Sequence, residues 1–561
     1  MGIKPSDMTP VIDFNRHHGP GPFRTRRPLY VDLLPPCNHS CPAGENVQAW
    51  LDLAQAGKYR QAWEALVRDN PMPAVHGRVC FHPCESACNR GALDAPVSIH
   101  AIERFLGDLA SRERWSFNQV DAPPTGKRVL VVGSGPSGLS AAYHLARLGH
   151  TIEVYEAAAT AGGMMHFGIP AYRLPRTDLS TEIARIESLG VKIVTNHKVT
   201  DVLGEKVAGN FDAVFIAIGA GIAKHIEIPA RDAAHVLDAV SLLRDTAAGE
   251  RPRLGRRVVI YGGGDTAMDA ARTVKRLGAD EALIVYRRDR EHMPAHAIET
   301  DEALQEGLKI KWLTTIKEIM GSSLTVELMD LDASGRPHPT GQFETLTADA
   351  IVLALGQETD SGFLQHIPDV ECSADGTVKV GADMMTGHPG IFAGGDMVAG
   401  ERSVTHSVGH GKRAARHIDA WLRRVQYAPR LPKHPLVSFD MLHLPIYSDA
   451  EPSPQKTLDV AERLAGFEEV VAGLAEHEAR YEARRCLSCG NCFECDNCYA
   501  ACPEHAVIKL GPGQRYRYDY EKCTGCAVCF EQCPCHAIEM VPEPAGPENG
   551  GTSALCRGSR G

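Results

Sequence analysis

The sequence predicts an α/β fold in which two parallel-sheet units stand between cysteine-rich ends, and three observations carry that reading. A buried-strand run, a glycine turn, a helix and a second strand follow one another in KRVLVVGSGPSGLSAAYHLARLGHTIEVYEA (127–157). The same order recurs in RRVVIYGGGDTAMDAARTVKRLGADEALIVYRR (256–288), and two such βαβ units indicate two nucleotide-binding halves. Of the 18 cysteines, five lie between 37 and 88, twelve between 486 and 556, and only Cys372 lies between the groups. Disulfide frameworks staple small secreted domains, whereas Cys-x2-Cys series in a long chain point to metal. Cys372, standing alone, reads as a small buried hydrophobe.

Composition narrows the function classes. The 561 residues suffice for three or four domains, and 43% hydrophobic with 23% charged residues is that of an ordinary globular protein. A net charge of −11 argues against a broad phosphate-neutralising surface, so nucleic acid is not an expected partner. The longest apolar run, AVFIAIGAGIA (213–223), is too short to cross a bilayer, and MGIKPSDMTPVIDF lacks the build of a secretory signal. No membrane association and a cytoplasmic location are therefore expected.

Residues 1–115 form an expected α-helical domain, because VQAWLDLAQAGKYRQAWEALVRD repeats apolar residues at three- and four-residue spacing. FNQVDAPPTGKR (117–128) reads as a linker, and YAPRLPKHP (427–435) opens a helical connection over 426–484. A cysteine-rich domain follows over 485–541, and 542–561 has the composition of a flexible tail.

In the first unit Gly133, Gly135 and Gly138 make a G-x-G-x-x-G turn, with Pro136 and Ser137 inside it and Glu156 ending the next strand. The glycines permit a tight turn, close approach to a pyrophosphate and helix–strand packing, while Glu156 can accept from a ribose. The second unit has Gly262, Gly264 and Ala267 around Asp265 and Thr266. Its second strand ends in Arg287 and Arg288 where an acid would favour NAD. Arginines there favour the 2′-phosphate of NADP, the alternative being a solvated surface pair.

FDAVFIAIGA (211–220), ADAIVLALGQETD (348–360) and GIFAGGDMVAG (390–400) complete a resemblance to two-dinucleotide flavoprotein reductases. That resemblance implies FAD contacts at Gly395 and Asp396. It also implies an NAD(P) domain (251–345) inserted into a discontinuous FAD domain (126–250 and 346–425). GGMMHFGIPAYRLP (162–175), YGGGDTAMDAARTV (261–274) and YRRDREHMPA (286–295) resemble the glutamate synthase small subunit and the N-terminal half of dihydropyrimidine dehydrogenase. Gly163 and Met164 join the expected FAD contacts on that basis. The fold class so implied is a flavoprotein with an N-terminal Fe–S domain and a C-terminal ferredoxin domain. No redox Cys-x-x-Cys lies in the middle region, so disulfide reduction is not expected.

The C-terminal group resolves by register. A two-cluster ferredoxin repeats C-x2-C-x2-C-x3-C-P, the fourth cysteine of each run serving the other cluster. The expected [4Fe–4S] sites are thus Cys492, Cys495, Cys498 with Cys533, and Cys523, Cys526, Cys529 with Cys502. Cys535 and Cys556 read as spare thiols. In the resembled family a second N-terminal cluster takes three cysteines and a side-chain oxygen, here Cys41, Cys80, Cys84 and Glu103; the alternative is a surface glutamate. The family's usual Cys-x2-Cys upstream of Cys37 is replaced by VDLLPP. That leaves Cys37 and Cys88 two ligands short, while Cys486 and Cys489 in EARRCLSCG are surplus. Those four are expected to share one cluster, against the alternative of buried thiols.

The expected function is electron transfer between NAD(P)(H) and a partner enzyme through FAD and the clusters, with no protein acid or base needed for hydride transfer. The resemblance implies a multisubunit complex, with a thiamine-dependent 2-oxoacid-oxidising core, such as that of phenylglyoxylate dehydrogenase, as the leading partner. A glutamate synthase small subunit, the NADH-linked flavoprotein of dissimilatory sulfite reductase, a ferredoxin-type carrier and a non-catalytic scaffold are the competing readings.

Overall fold

The computed structural model describes residues 24–118, 122–223, 228, 230–231, 235–427 and 434–543. The long periodic run near the N-terminus folds as two helices, Val47–Gln55 and Tyr59–Val67, because Gly57 (φ +73°) turns the chain between them. Val47, Trp50, Leu51 and Ala54 form one apolar stripe and Ala62 and Leu66 another; both pack with helix Ile99–Arg112 into a single core. Each large side chain so buried contributes roughly 1.5–3 kcal/mol.

The first parallel sheet has the strand order Ile391–Ala393, Ala213–Ile216, Arg128–Val132, Thr151–Tyr155, Lys192–Val194. The second has the order Lys309–Lys311, Glu281–Val285, Arg257–Tyr261, Ala350–Leu353, His235–Asp238. In both, the glycine turn follows the central strand and opens a helix, Pro136–Arg147 in one and Asp265–Arg276 in the other. An antiparallel meander, Thr314–Met320, Ser323–Leu331 and Pro337–Thr347, is appended to the second unit.

Several expected boundaries move. Ala350–Leu353, placed by the 346–425 boundary in the FAD domain, pairs with Arg257–Tyr261, and His235–Asp238 pairs with it in turn. Buried parallel strands read alike whichever sheet receives them, so the assignment was open to tertiary pairing. Helix Glu476–Arg484, expected in a connection, instead buries Ala479 and Ala483 in the core of the N-terminal helices. The segment from Arg24, expected in the helical domain, belongs to the ferredoxin body. Strand Arg26–Tyr30 pairs antiparallel with Ile538–Pro542, and the Tyr30 ring stacks on Tyr518 at 4.8 Å. Arg24, almost wholly buried, pairs with Glu543 at 2.6 Å and donates to the carbonyls of Tyr520 and Cys523. Residues 428–433 of the connection, and 544–561 of the expected tail with Cys556, lie outside the described residues. Among the described residues no helix is long and apolar enough to cross a membrane.

The second unit is clamped by an ion network. Glu306, with no side-chain exposure, meets Arg272 and Arg276 at 2.7 Å each, and both guanidiniums are equally buried. Removing the carboxylate leaves the buried Arg276 without a counter-charge, with the Arg272 carbonyl and the face of the Tyr172 ring 3.9 Å away. Glu306→Ala is expected to destabilise this unit by about 3–5 kcal/mol, read as a lowered urea midpoint of its unfolding transition.

Candidate functional site

A cavity of about 870 Å³ opens along the C-terminal edge of the first sheet and reaches the second unit. Its volume is in the upper range for small-molecule and cofactor sites. Gly133, Gly135, Pro136, Ser137, Glu156, Gly163, Met164, Gly395 and Asp396 all line it. Gly138 does not. A Cβ there would stand 2.0 Å from the Gly133 carbonyl oxygen, so its role is the close helix–strand contact. Gly133 itself has φ +101° and sits against the Ala217 carbonyl. Helix Pro136–Arg147 starts with no side-chain cap, which leaves its first N–H groups free for a phosphate.

Glu156 is already in use by the protein. Its Oε2 accepts from Ser134 N (2.9 Å) and Ser134 Oγ (2.5 Å), and its Oε1 from Ala158 N (2.8 Å), so it braces the glycine loop. A carboxylate has about four acceptor positions, which leaves capacity for a ribose. Opposite, burial pushes the Asp396 carboxyl upward, countered by the Ser407 hydroxyl that donates to it at 2.9 Å.

In the second unit Asp265 and Thr266 line the same cavity, whereas Gly262, Gly264, Ala267, Arg287 and Arg288 do not. Gly262 passes the strand end so closely that a Cβ would lie 2.1 Å from the Ala354 carbonyl oxygen. Helix Asp265–Arg276 also starts without a side-chain cap, at Gly264. Arg287 is exposed and Arg288 half-buried, both at the end of the strand that follows the second glycine turn.

Sequence reasoning missed the third wall. Val79 and Phe81, on either side of Cys80, reach the cavity from the helical domain. The Phe81 ring stacks on His296 at 3.4 Å, and His296 donates its backbone N–H to Asp265 at 2.9 Å. Cys80 also borders a second opening of about 550 Å³ with His296, Ser403 and His406. The Cys80 site therefore stands behind the wall that Val79 and Phe81 give the cavity.

Each expected ligand set gathers in space. Cys502, Cys523, Cys526 and Cys529 line one small cavity of about 20 Å³. Cys533 is an electrostatic neighbour of Cys492, Cys495 and Cys498. Cys535 lies 3.9 Å from Cys533, sulfur to sulfur. Burial raises the Cys498 and Cys529 thiols to about 11. Cys41, Cys80, Cys84 and Glu103 likewise face one another. Glu103 is only 6% exposed, which removes the surface-glutamate alternative. Asn70 Nδ2 bridges its Oε1 (2.8 Å) and that of Glu45 (3.0 Å), and burial pushes both carboxyls up, Glu45 to about 7. Cys37, Cys88, Cys486 and Cys489 line another small cavity, also of about 20 Å³. Cys372 packs against the core of the first sheet.

Three family profiles match. Residues 127–411 fit the pyridine nucleotide-disulphide oxidoreductases, 31–115 fit the 4Fe-4S domain II of dihydropyrimidine dehydrogenase, and 516–539 fit a 4Fe-4S binding domain. The NADP(+)-dependent formate dehydrogenase subunit beta of Moorella thermoacetica is 34% identical over 81% of this chain and 70% of its own length. The NADPH-Fe(3+) oxidoreductase subunit beta of Geobacter sulfurreducens is 31% identical over 81% and 75%. The glutamate synthase [NADPH] small chain of Escherichia coli is 32% identical over 69% and 89%. Within 127–411 the sole cysteine is Cys372, so the disulfide chemistry in the first profile's description has no thiol pair to use. The chain belongs to the pyridine nucleotide-disulphide oxidoreductase family, as a glutamate synthase small-subunit-like, FAD-dependent NAD(P)H oxidoreductase with 4Fe-4S domains at both ends.

Proposed function

We propose that this chain is the NADP(H)-linked electron-transfer subunit of a multisubunit oxidoreductase. The observation that carries the reading is the shared wall: Val79 and Phe81 line the nucleotide cavity while Cys80, between them, faces Cys41, Cys84 and Glu103. Flavin exchanges electrons with nicotinamide in pairs and releases them singly, which suits it to stand between hydride carriers and iron–sulfur clusters.

The protein's own work is binding, orientation and exclusion of water. Gly133, Gly135, Pro136, Ser137, Gly163, Met164 and Gly395 shape the FAD cradle, with Gly138 holding the helix to the strand. Glu156 and Asp396 supply acceptors for its hydroxyls. Gly262, Gly264, Asp265, Thr266 and Ala267 present backbone to the nicotinamide nucleotide, and Arg287 and Arg288 take its 2′-phosphate. Cys41, Cys80, Cys84 and Glu103 would hold one [4Fe–4S] cluster and the two ferredoxin sets two more, groups that would supply one-electron transfer when bound. No side chain is required as acid or base.

Both beta subunits among the relatives are named as parts of larger enzymes, which supports a catalytic partner for this chain. We assign that partner to enzymes that oxidise a small organic acid. The name of the Moorella relative supports formate, and the appended ferredoxin domain supports the thiamine-dependent 2-oxoacid core. Co-purification followed by assay of NADP+ reduction with formate or with 2-oxoacids separates the two.

The flavin- and cluster-loaded chain is expected to reduce a viologen dye with NADPH; an inert, fully loaded sample would leave only a scaffold. Gly133→Ala should lose flavin absorbance. Gly262→Ala should retain the flavin and weaken NADPH binding about tenfold or more, the 1.4 kcal/mol scale of a clash at the strand end. Arg287→Ala removes a charge-assisted bond of about 1.5–3 kcal/mol, so KM should rise about 10- to 100-fold for NADPH and stay level for NADH.

A further inference from the structure

The space bounded by Cys37, Cys88, Cys486 and Cys489 is used by no part of the nucleotide chemistry, and none of the matched family regions reaches Cys486 or Cys489. We infer that it is the binding site of a further four-iron cluster, held half by each end of the chain. This deepens the electron-transfer reading, on which the cluster's role as a relay station rests; the binding itself stands on the geometry.

Convergence comes first. Cys37, Cys88, Cys486 and Cys489 line one cavity of about 20 Å³, the same volume as the cavity lined by Cys502, Cys523, Cys526 and Cys529, a set whose sequence spacing is that of a ferredoxin. A tetrahedral zinc with bonds of about 2.3 Å holds its sulfurs about 3.8 Å apart, and the groups close enough for a single ion among the described residues, His82–Glu85–His100 and Glu45–His76–Glu103, include none of these four cysteines. All four cysteines are free, so a disulfide does not account for their convergence.

The local hydrogen bonds match those of the other sites. Ser488 N–H points to the Cys486 sulfur at 3.4 Å, as Ala506 N–H does to Cys502 at 3.2 Å and Ala537 N–H to Cys533 at 3.3 Å. Asn89 Nδ2 adds a donor to Cys489 at 3.5 Å. Such donors stabilise thiolate ligands and tune the cluster. Arg90 lines the space and Arg485 directly precedes Cys486, and their ion pairs with Asp94 hold the two halves of the ligand set against each other.

The test uses the full-length holoprotein prepared anaerobically, with iron, acid-labile sulfide and FAD counted and the reduced clusters followed by electron paramagnetic resonance. Cys486→Ser/Cys489→Ser should hold about four fewer irons and sulfides than the wild type, with FAD retained and the ferredoxin signals unchanged. Cys37→Ser, at the other end of the chain, should remove the same four, and the triple variant no more than either. Undiminished iron, losses that add to about eight, or loss of zinc in place of iron would each overturn the site. Should the double variant not fold, Cys37→Ser and Cys88→Ser, alone and combined, carry the same comparison. A fully loaded wild type that ignores NADPH would instead count against the proposed function and leave this assignment standing.

Discussion

Arg485 keeps 1% of its side chain exposed and meets Glu482 at 2.5 Å and Asp94 at 3.2 Å, while Arg90 meets the same Asp94 at 2.6 Å. Their remaining donors go to the carbonyls of Ala95, Pro96, Ser448, Ala450 and, from Arg90, of Arg485 itself. Guanidiniums removed from water are tolerated only when so fully paired. The network therefore admits one arrangement, with residues 90–96 held against 448–450 and 482–485. Cys88 and Cys486 flank this network in sequence, so locking it brings the two cysteine-rich ends together.

The same closure is made again further out. Strand Arg26–Tyr30 adds itself to the ferredoxin sheet, and Tyr30 donates or accepts at the Cys498 sulfur at 3.2 Å. The segment from Arg24 to Cys41 thus runs from the ferredoxin body to the cysteines behind the wall of the nucleotide cavity. A chain built this way holds its cysteine sites in a continuous solid, and electron transfer benefits because separations do not depend on a linker.

At the other end of the route, Phe81, His296 and Asp265 join the helical domain to the nucleotide-binding turn of the second unit. One stacked pair and one carboxylate therefore place the rim of the Cys80 site, the flavin cavity and the nicotinamide helix in direct contact.

Local chemistry was legible wherever backbone or ligand spacing is the signal. The glycine turns at Gly133 and Gly262, the helical stripes of Trp50 and Leu66, and the ferredoxin register of Cys492–Cys502 and Cys523–Cys533 each follow from neighbours a few residues apart. Counting ligands also pointed to a set shared between the ends. Only the tertiary structure decided which sheet takes Ala350–Leu353, that Arg26–Tyr30 joins a body five hundred residues away, that Phe81 walls the cavity and that Glu103 is buried. Those outcomes rest on pairing and burial between distant segments, and a strand or an arginine carries no local mark of the partner it will meet.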